Sequence, residues 1–296
     1  LPVPPVSEIE RVADMLLAAK NPAIVAESVG RDPAGYDATV ELAELLAIPV
    51  SECRWLDFTN FPKEHPLYQG MGELDYLQDT DVVLTLRARA PWTPASAKPA
   101  NATIVNIDEA PFRPHMVHQS LQADVFLEGD AVATLRALIS AIRERGVDTA
   151  VVAERQARWS KGHDALVAGK KADIDAALAK ETISPIGLCA TLGDVLPDDT
   201  IYIDETITSR PVIVKYLDFK GPLSFFSVAS GGLGQGLGLA LGAKLAMKDR
   251  PVVSVIGDGS FMYNPVTQSL ALSQHKDIPI MIVVFNNAGY SAMRKE

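Results

Sequence analysis

An acidic side chain and two amide side chains follow two apolar stretches near the end of the chain, where they could bind a cation together. Asp258 stands between two glycines after the run VVSVIG, and Asn286 and Asn287 follow the run IPIMIVVF. The stretch between them has about the length of one right-handed βαβ crossover. Because neighbouring parallel strands end at the same edge of a sheet, we expect Asp258 and the asparagines to meet there, where open α/β sheets bind ligands.

The chemistry of these groups points to a magnesium-bound diphosphate. A carboxylate, an amide oxygen and a backbone carbonyl are hard oxygen ligands of the kind Mg²⁺ prefers, and phosphate oxygens with water usually complete its shell. Gly257 and Gly259 would let the backbone approach a diphosphate closely. Ser260 adds a backbone N–H and a hydroxyl near a helix N-terminus, which suits a phosphate. Asp-Gly and Asn-Asn pairs are also common in turns and loops, so an α/β sheet without this ligand is the alternative.

Strand and helix patterns alternate through the first half of the chain. Apolar residues recur at helical spacing after Ser7, which forms the pattern of a capping box with Glu10. The predicted strands are NPAIVAESV, DVVLTL, ATIVNID and DVFLEG. The segment DATVELAELLAIPV is predicted as a helix that runs into another strand, and DAVATLRALISAIRER as a closing helix. Such alternation predicts a doubly wound parallel sheet. The segment VGRDPAG after the first strand lacks the G-x-G-x-x-G pattern of dinucleotide-binding proteins.

A second α/β pattern follows a segment rich in alanine and lysine. Its predicted strands are TIYIDE, PVVSVIGDG and IPIMIVVFNN. Its predicted helices are SPIGLCATLGDVL and PVTQSLALSQH, and SGGLGQGLGLALGAKLAM is predicted as a Gly-rich loop that opens a helix. We predict a Rossmann-like domain over 1–148, a helical linker over 149–183 and a second domain over 184–296. The predicted fold class is α/β, with two doubly wound, mostly parallel sheets and flanking helices.

Composition excludes several classes of protein. The net charge of −10 and the pI of about 5.0 argue against a surface for nucleic acid or anionic membranes. Cys53 and Cys189 are too few for a disulfide framework or a zinc site, so we expect a cytoplasmic location. No apolar run reaches the roughly 18–20 residues of a membrane span. The Pro-rich start and the end at SAMRKE lead us to expect part of a larger chain or of a split assembly.

The Gly-Asp-Gly segment followed by Asn-Asn resembles the cofactor motif of thiamin diphosphate-dependent enzymes. The stretches AAKNPAIVAESVG, ELAELLAIPV and HPLYQGMG are similar to the central domain of the acetolactate synthase, pyruvate oxidase and benzoylformate decarboxylase group. The second half resembles most of that group's diphosphate-binding domain, so the fold is expected to be incomplete at both ends. The resemblance implies that Asp258, Asn287 and the main-chain oxygen of Gly289 bind Mg²⁺.

The same resemblance identifies SGGLGQGLG as the cofactor loop. It implies two catalytic residues: Leu233 would lie beneath the thiazolium and keep the cofactor bent, and a carbonyl near Gly231 would accept a hydrogen bond from its amino group. The turn DETITSRP would support the diphosphate, although Ile207 stands where a hydroxyl is expected. The implied cofactor-binding residues are Thr206, Thr208, Ser209, Gly231, Gly232, Leu233, Gly257, Asp258, Gly259, Ser260, Asn287, Gly289 and Tyr290.

The resemblance implies an enzyme that uses thiamin diphosphate and Mg²⁺ to decarboxylate a small-molecule 2-oxo acid at C2 of the thiazolium. DETITS and SGGLG favour a lyase of benzoylformate-decarboxylase type, and an acetolactate synthase-like carboligase is the alternative. The segment RARAPWTP lacks both the histidine of benzoylformate decarboxylases and the Arg-Phe-Asp stretch that contacts flavin, so FAD is not expected. His115 and His118 are expected to be loop residues rather than metal ligands.

One part of the family's machinery is not found in this chain. In the family, a glutamate from a pyrimidine-binding domain activates the cofactor, usually across a dimer interface. No segment of residues 1–296 resembles that domain, and Glu205 is a poor substitute. We therefore expect a homodimer or homotetramer and a pyrimidine-binding domain outside this chain. A non-catalytic cofactor-binding module is the alternative of another class.

Overall fold

The computed structural model describes residues 2–72, 74–111, 123–228 and 232–289. The chain divides into two compact units, residues 1–168 and 169–296. Each unit contains one sheet whose strands are all parallel. The predicted class, α/β with parallel sheets and flanking helices, is therefore confirmed.

The first unit contains a six-stranded sheet in the order β3-β2-β1-β4-β5-β6. The order runs in opposite directions from β1 and β4, which is the mark of a doubly wound sheet. Its elements are α1 (Val6–Ala18), β1 (Pro22–Ala26), α2 (Pro33–Leu46), β2 (Val50–Glu52), β3 (Tyr68–Met71), β4 (Val82–Leu86), β5 (Thr103–Asp108), β6 (Val125–Glu128), α3 (Ala131–Arg145) and the first part of α4 (Thr149–Leu178).

The core of this unit follows from strands that are apolar on both faces. Every residue of β1 and β4 is buried, which is the pattern of a parallel sheet covered on both sides. On α1, the buried residues Ile9, Val12 and Leu16 recur at helical spacing. They belong to the same apolar cluster as Leu135 of α3.

Two helices begin where the sequence predicts them, and a third does not. Asp130 caps α3 by accepting from the backbone N–H of Ala133 at 2.9 Å. Ser184 caps the helix that begins at Pro185, accepting from the N–H of Gly187 at 3.1 Å. The capping box predicted at Ser7 is wrong: α1 begins at Val6, after Pro5, so Ser7 lies within the first turn.

The first part of α4 belongs to the first unit and contacts the other elements of that unit through polar side chains. Arg155 donates to the backbone oxygens of Ala19 and, at 3.2 Å, Leu46, at the C-terminal ends of α1 and α2. A cation stabilises the carbonyl end of a helix. Nδ1 of His163 lies 2.9 Å from the backbone oxygen of Tyr68. The predicted linker, 149–183, contains this helix.

The second unit contains a four-stranded sheet in the order β10-β9-β7-β8. Its elements after α4 are α5 (Pro185–Val195), β7 (Ile201–Glu205), α6 (Arg210–Tyr216), β8 (Phe225–Ser227), α7 (Gly236–Ala246), β9 (Val252–Gly257), α8 (Asp258–Tyr263), α9 (Val266–Lys276) and β10 (Met281–Phe285). The sequence did not predict α6, β8 or α8, and the Gly-Asp-Gly segment spans the end of β9 and the start of α8. In the part of the chain that the structure describes, no helix is long and apolar enough to cross a membrane.

Candidate functional site

Three strands of the second sheet bring the proposed cofactor residues to one edge. β9 pairs with both β7 and β10, and all three run in the same direction. In this register Glu205 pairs with Ile256, and Gly257 pairs with Phe285. The segments that follow Glu205, Gly257 and Phe285 therefore leave the sheet side by side at its carboxyl edge, where such sheets bind ligands.

Asp258 and Gly289 are in direct contact at this edge. The backbone N–H of Gly289 donates to Oδ2 of Asp258 at 3.0 Å, which joins the segments after β9 and β10. The loop after β10 turns tightly, because Oδ1 of Asn286 accepts from the N–H of Ala288 at 2.8 Å and Ala288 has a φ of 60°. Two of the three proposed metal ligands, Asp258 and Gly289, are thus neighbours. The third, Asn287, is exposed in the loop between the end of β10 and Gly289.

The oxygen atoms at this edge are of the type that binds Mg²⁺. Asp258 is half-buried and Asn287 is exposed, so their side chains can reach a bound ion. Among the described residues, no group of three His, Cys, Asp or Glu side chains could hold a metal ion. One carboxylate, one amide and one backbone carbonyl leave room for phosphate oxygens in an octahedral shell, which is how Mg²⁺ commonly binds a diphosphate.

The hydroxyl groups proposed for the diphosphate have different surroundings. Thr206 is buried, and its N–H and hydroxyl both donate to Oδ1 of Asp204, at 2.9 and 2.6 Å. Thr208 and Ser209 are half-buried in the segment between β7 and α6, whereas Ser260 is buried within α8. Of this set, Thr206 therefore has its hydroxyl proton committed to a carboxylate of its own chain.

Asp204 is fully buried near the end of β7, next to the segment that carries these hydroxyl groups. Burial raises the pKa of the Asp204 carboxyl, and the nearby Arg210 guanidinium opposes that shift. Nη1 of Arg210 lies 3.9 Å from Oδ2 of Asp204 and donates to the hydroxyl of Ser227 at the end of β8. Asp204, Arg210 and Ser227 thus connect the ends of β7 and β8 to the start of α6.

Glu205 accepts hydrogen bonds from the segment that begins α7. Its Oε1 accepts from the backbone N–H groups of Gly234 at 2.5 Å and Gln235 at 3.0 Å, and its Oε2 accepts from that of Gly236 at 3.0 Å. The side-chain amide of Asn264 donates to the same Oε2 at 2.7 Å. Glu205 is fully buried, so these four donors surround a carboxylate that has no access to water.

Two glycines make this close approach possible. A Cβ atom on Gly236 would lie 2.6 Å from Oε2 of Glu205, where no side chain fits. Gly234 has a φ of +94°, and its Cβ would lie 2.8 Å from the backbone oxygen of Tyr263. Gly234 and Gly236 of SGGLGQGLG therefore allow the close contacts with α8 and with Glu205.

Leu233 lies immediately before this anchored segment and is 36% exposed. Gly232 is half-buried beside it, and its backbone oxygen accepts from the side chain of Gln235 at 3.2 Å. Gly231 and Tyr290, which the sequence also assigned to the cofactor site, lie outside the described residues. So do His115 and His118.

Sequence reasoning missed the role of Glu205 and did not consider Asn264. A usable signal was present, because the helix after the Gly-rich loop begins without Ser, Thr, Asp or Asn at its cap position. Gln235 occupies that position. A glutamate at the end of a neighbouring strand could supply the missing acceptor, and Glu205 was the residue that met that condition.

The carboxyl edge of the first sheet holds a separate ionic network. Arg89, in the segment after β4, pairs with Glu27 after β1 and donates to Oδ2 of Asp57 at 2.7 Å. Oδ1 of Asn60 accepts from the N–H of Gly30 at 3.0 Å. These residues pack the chain's own side chains and backbone together near the point where the strand order reverses.

The family models agree with this arrangement. The family model described as "Thiamine pyrophosphate enzyme, central domain" matches residues 9–138. The model described as "Thiamine pyrophosphate enzyme, C-terminal TPP binding domain" matches residues 208–296. The chain belongs to the thiamine pyrophosphate (thiamin diphosphate) enzymes. The resemblance recognised in the sequence is therefore confirmed at the level of the family.

The relatives of this chain differ from one another in activity. The chain is 27% identical to benzoylformate decarboxylase from Pseudomonas aeruginosa, over 99% of this chain and 53% of that protein. It is 26% identical to the large subunit of acetolactate synthase isozyme 3 from Escherichia coli, over 98% of this chain and 50% of that one. A solved thiamine diphosphate-dependent 4-hydroxybenzoylformate decarboxylase from Rhodococcus jostii superposes with a TM-score of 0.73 at 25% identity, covering 97% of this chain and 52% of that one. The chain spans about half the length of these relatives.

Proposed function

We propose that this chain forms the diphosphate-binding and central parts of a thiamin diphosphate- and Mg²⁺-dependent lyase that decarboxylates a 2-oxo acid. The observation that carries the proposal is the contact between Asp258 and Gly289 at the carboxyl edge of the second sheet. In a member of this family, that edge offers hard oxygen ligands on adjacent strand ends, which suits a magnesium-bound diphosphate.

In this proposal Asp258, Asn287 and the backbone oxygen of Gly289 hold the Mg²⁺ ion. Gly257 and Gly259 let the backbone approach the diphosphate, and Ser260, Thr208 and Ser209 offer it donors. Leu233, beside Gly232, would support the thiazolium ring, and a backbone carbonyl near Gly231 would accept a hydrogen bond from the amino group of the aminopyrimidine. When bound, thiamin diphosphate supplies the electron sink for loss of CO₂ from the substrate. The residues of the chain contribute position and electrostatic stabilisation.

Within the family, we favour a lyase of benzoylformate-decarboxylase type over an acetolactate synthase. The turn DETITS and the loop SGGLG support this preference, and so does the likeness over 99% of this chain to a benzoylformate decarboxylase. An acetolactate synthase-like carboligase is the second candidate, which the likeness to an acetolactate synthase subunit over 98% of this chain favours. Turnover of pyruvate to acetolactate rather than decarboxylation of an aromatic 2-oxo acid would reverse the order.

The proposal includes partners outside this chain. We propose a pyrimidine-binding domain that supplies the activating glutamate, assembly as a homodimer or homotetramer, and a cytoplasmic location. Glu205 does not serve as the activating group in this scheme, because its carboxylate already accepts four hydrogen bonds. A non-catalytic cofactor-binding module is the candidate of another class, because no segment of residues 1–296 resembles the domain that carries the activating glutamate.

Calorimetric titration tests the proposal. Thiamin diphosphate is titrated with and without Mg²⁺, first into this chain alone and then into the chain mixed with a polypeptide that contains a family pyrimidine-binding domain. Binding that requires Mg²⁺, followed by CO₂ release from benzoylformate or another 2-oxo acid with the companion present, supports the enzyme. Binding without turnover supports the module, and no binding in either mixture contradicts both.

A further inference from the structure

A buried carboxylate and a buried amide connect the loop that carries Leu233 to the helix that begins with Asp258. Glu205 accepts from the N–H groups of Gly234, Gln235 and Gly236 at the start of α7. Asn264, at the end of α8, donates to Glu205. Both side chains are at most 7% exposed, so their hydrogen bonds are shielded from water.

Asn264 extends the connection in both directions. Its amide also donates to the backbone oxygen of Ser260 at 2.9 Å, within α8. Its Oδ1 accepts from the N–H of Leu237 at 3.1 Å, within α7. The Glu205–Asn264 pair therefore fixes the start of α7 relative to α8.

The two connected segments have different proposed tasks. α8 begins with Asp258, the proposed metal ligand, whereas the segment that leads into α7 follows directly on Leu233, the proposed support of the thiazolium ring. We infer that Glu205, together with Asn264, is a positioning residue that sets the spacing between the diphosphate anchor and the ring support. This inference rests on the proposed function.

The pair also determines where the diphosphate does not bind. A helix N-terminus with free N–H groups is a common phosphate site. At α7 the N–H groups of Gly234, Gln235 and Gly236 already donate to Glu205, so they are not available to a phosphate. Disturbing Glu205 should therefore change contacts to the ring and leave the diphosphate anchor at Asp258 in place.

Glu205→Gln tests this inference with little change in side-chain volume. Whichever way the new amide turns, its NH₂ group faces two donors, either Gly234 and Gln235 or Gly236 and Asn264. Asn264→Ser is the second variant, which removes the amide and keeps Glu205. Glu52→Gln is the matched control: Glu52 is a fully buried carboxylate of the first unit that accepts from the backbone and side chain of Asn60.

The experiment compares two ligands in the presence of Mg²⁺, thiamin diphosphate and inorganic pyrophosphate, with the protein that contains this chain. We expect Glu205→Gln to raise the dissociation constant of thiamin diphosphate about tenfold while that of pyrophosphate changes less than about twofold, since the donors left unpaired lie next to Leu233 or at the opposite end of α8 from Asp258. Asn264→Ser should act in the same direction, and Glu52→Gln should leave the ratio of the two constants as in the wild type.

Hydrogen exchange provides a second measurement that does not need a ligand. Peptides covering 232–238 should exchange faster in Glu205→Gln and Asn264→Ser than in the wild type, and at the wild-type rate in Glu52→Gln. Equal ratios of the two dissociation constants in wild type and Glu205→Gln, or unchanged exchange over 232–238, would overturn the inference alone. A wild-type protein that binds neither ligand would overturn the proposed function and this inference with it.

Discussion

The backbone N–H of Gly289 lies 3.0 Å from Oδ2 of Asp258, so the segments that follow two adjacent parallel strands touch across the edge of the sheet. This contact uses one oxygen of the carboxylate and leaves the other for a cation. It also orients Gly289 toward Asp258, whose charge the N–H partly balances. The relationship gives the proposed metal site its geometry and leads to the first prediction.

Replacing Asp258 with Ala should abolish Mg²⁺-dependent retention of thiamin diphosphate. The variant loses the only carboxylate among the proposed ligands, and the charge of the diphosphate is then poorly balanced. Retention is measured by gel filtration followed by cofactor assay. Asp249→Ala, which removes an exposed carboxylate of the same unit, should retain the cofactor as the wild type does. Equal retention in both variants would place the metal elsewhere.

Replacing Leu233 with Ala should reduce turnover more than cofactor affinity. The change shortens the side chain that supports the ring, whereas the anchor at Asp258 is untouched. We expect kcat to fall at least about tenfold, as for a misplaced reacting group, with a change of less than about threefold in the dissociation constant of the cofactor. Leu239→Ala is the control, because Leu239 is equally exposed, at 37% against 36%. A loss of affinity that matches the loss of turnover would contradict the assigned role.

Replacing Arg155 with Met should destabilise the first unit by about 2–3 kcal/mol, because two helix-end carbonyls lose a buried charged donor. All three tryptophans of the chain, Trp55, Trp92 and Trp159, lie in this unit, so their fluorescence during urea unfolding reports on it alone. Arg158→Met is the control. Arg158 is exposed and bonds Asn21, and its loss should cost less than about 1 kcal/mol. Equal losses would argue against the capping role of Arg155.

The raised pKa of Asp204 predicts a pH-dependent difference in stability between wild type and Asp204→Asn. The folded state holds the proton of this carboxyl more tightly than the unfolded state does, so ionisation costs stability as pH rises. The stability of Asp204→Asn relative to wild type should therefore increase from about pH 4, the ordinary carboxyl range, up to the raised folded pKa, and then level off. The measurement is urea unfolding by circular dichroism, using the transition that tryptophan fluorescence does not follow. A difference that is constant with pH would refute the assignment.

The parallel sheets were predictable because their strands are apolar runs separated by helical patterns. β9 and β10 are both clear apolar runs, and the helical crossover between them, α8 and α9, lets the two strands run parallel and end at the same edge. The short elements were harder to recognise. α6 has seven residues and β8 has three, which is too short for a periodic pattern to stand out.

Sequence distance explains what was missed at the site. Glu205 and Asn264 are 59 positions apart, and the register that brings them together depends on the packing of α7 and α8 against the sheet. Local patterns report on neighbours within a turn or a strand, so a capping residue supplied by another element escapes them. The predicted capping box at Ser7 failed for a different reason: α1 begins at Val6, with Pro5 at the cap position, two residues earlier than a cap at Ser7 would give.

Anomalous diffraction from crystals grown with Mn²⁺ and thiamin diphosphate would locate the cation itself, because Mn²⁺ takes the same oxygen ligands as Mg²⁺. We expect a single strong peak about 2.0–2.3 Å from a carboxylate oxygen of Asp258, the amide oxygen of Asn287 and the backbone oxygen of Gly289. A cofactor-bound crystal whose manganese peak lies away from Asp258 would contradict the proposed metal site.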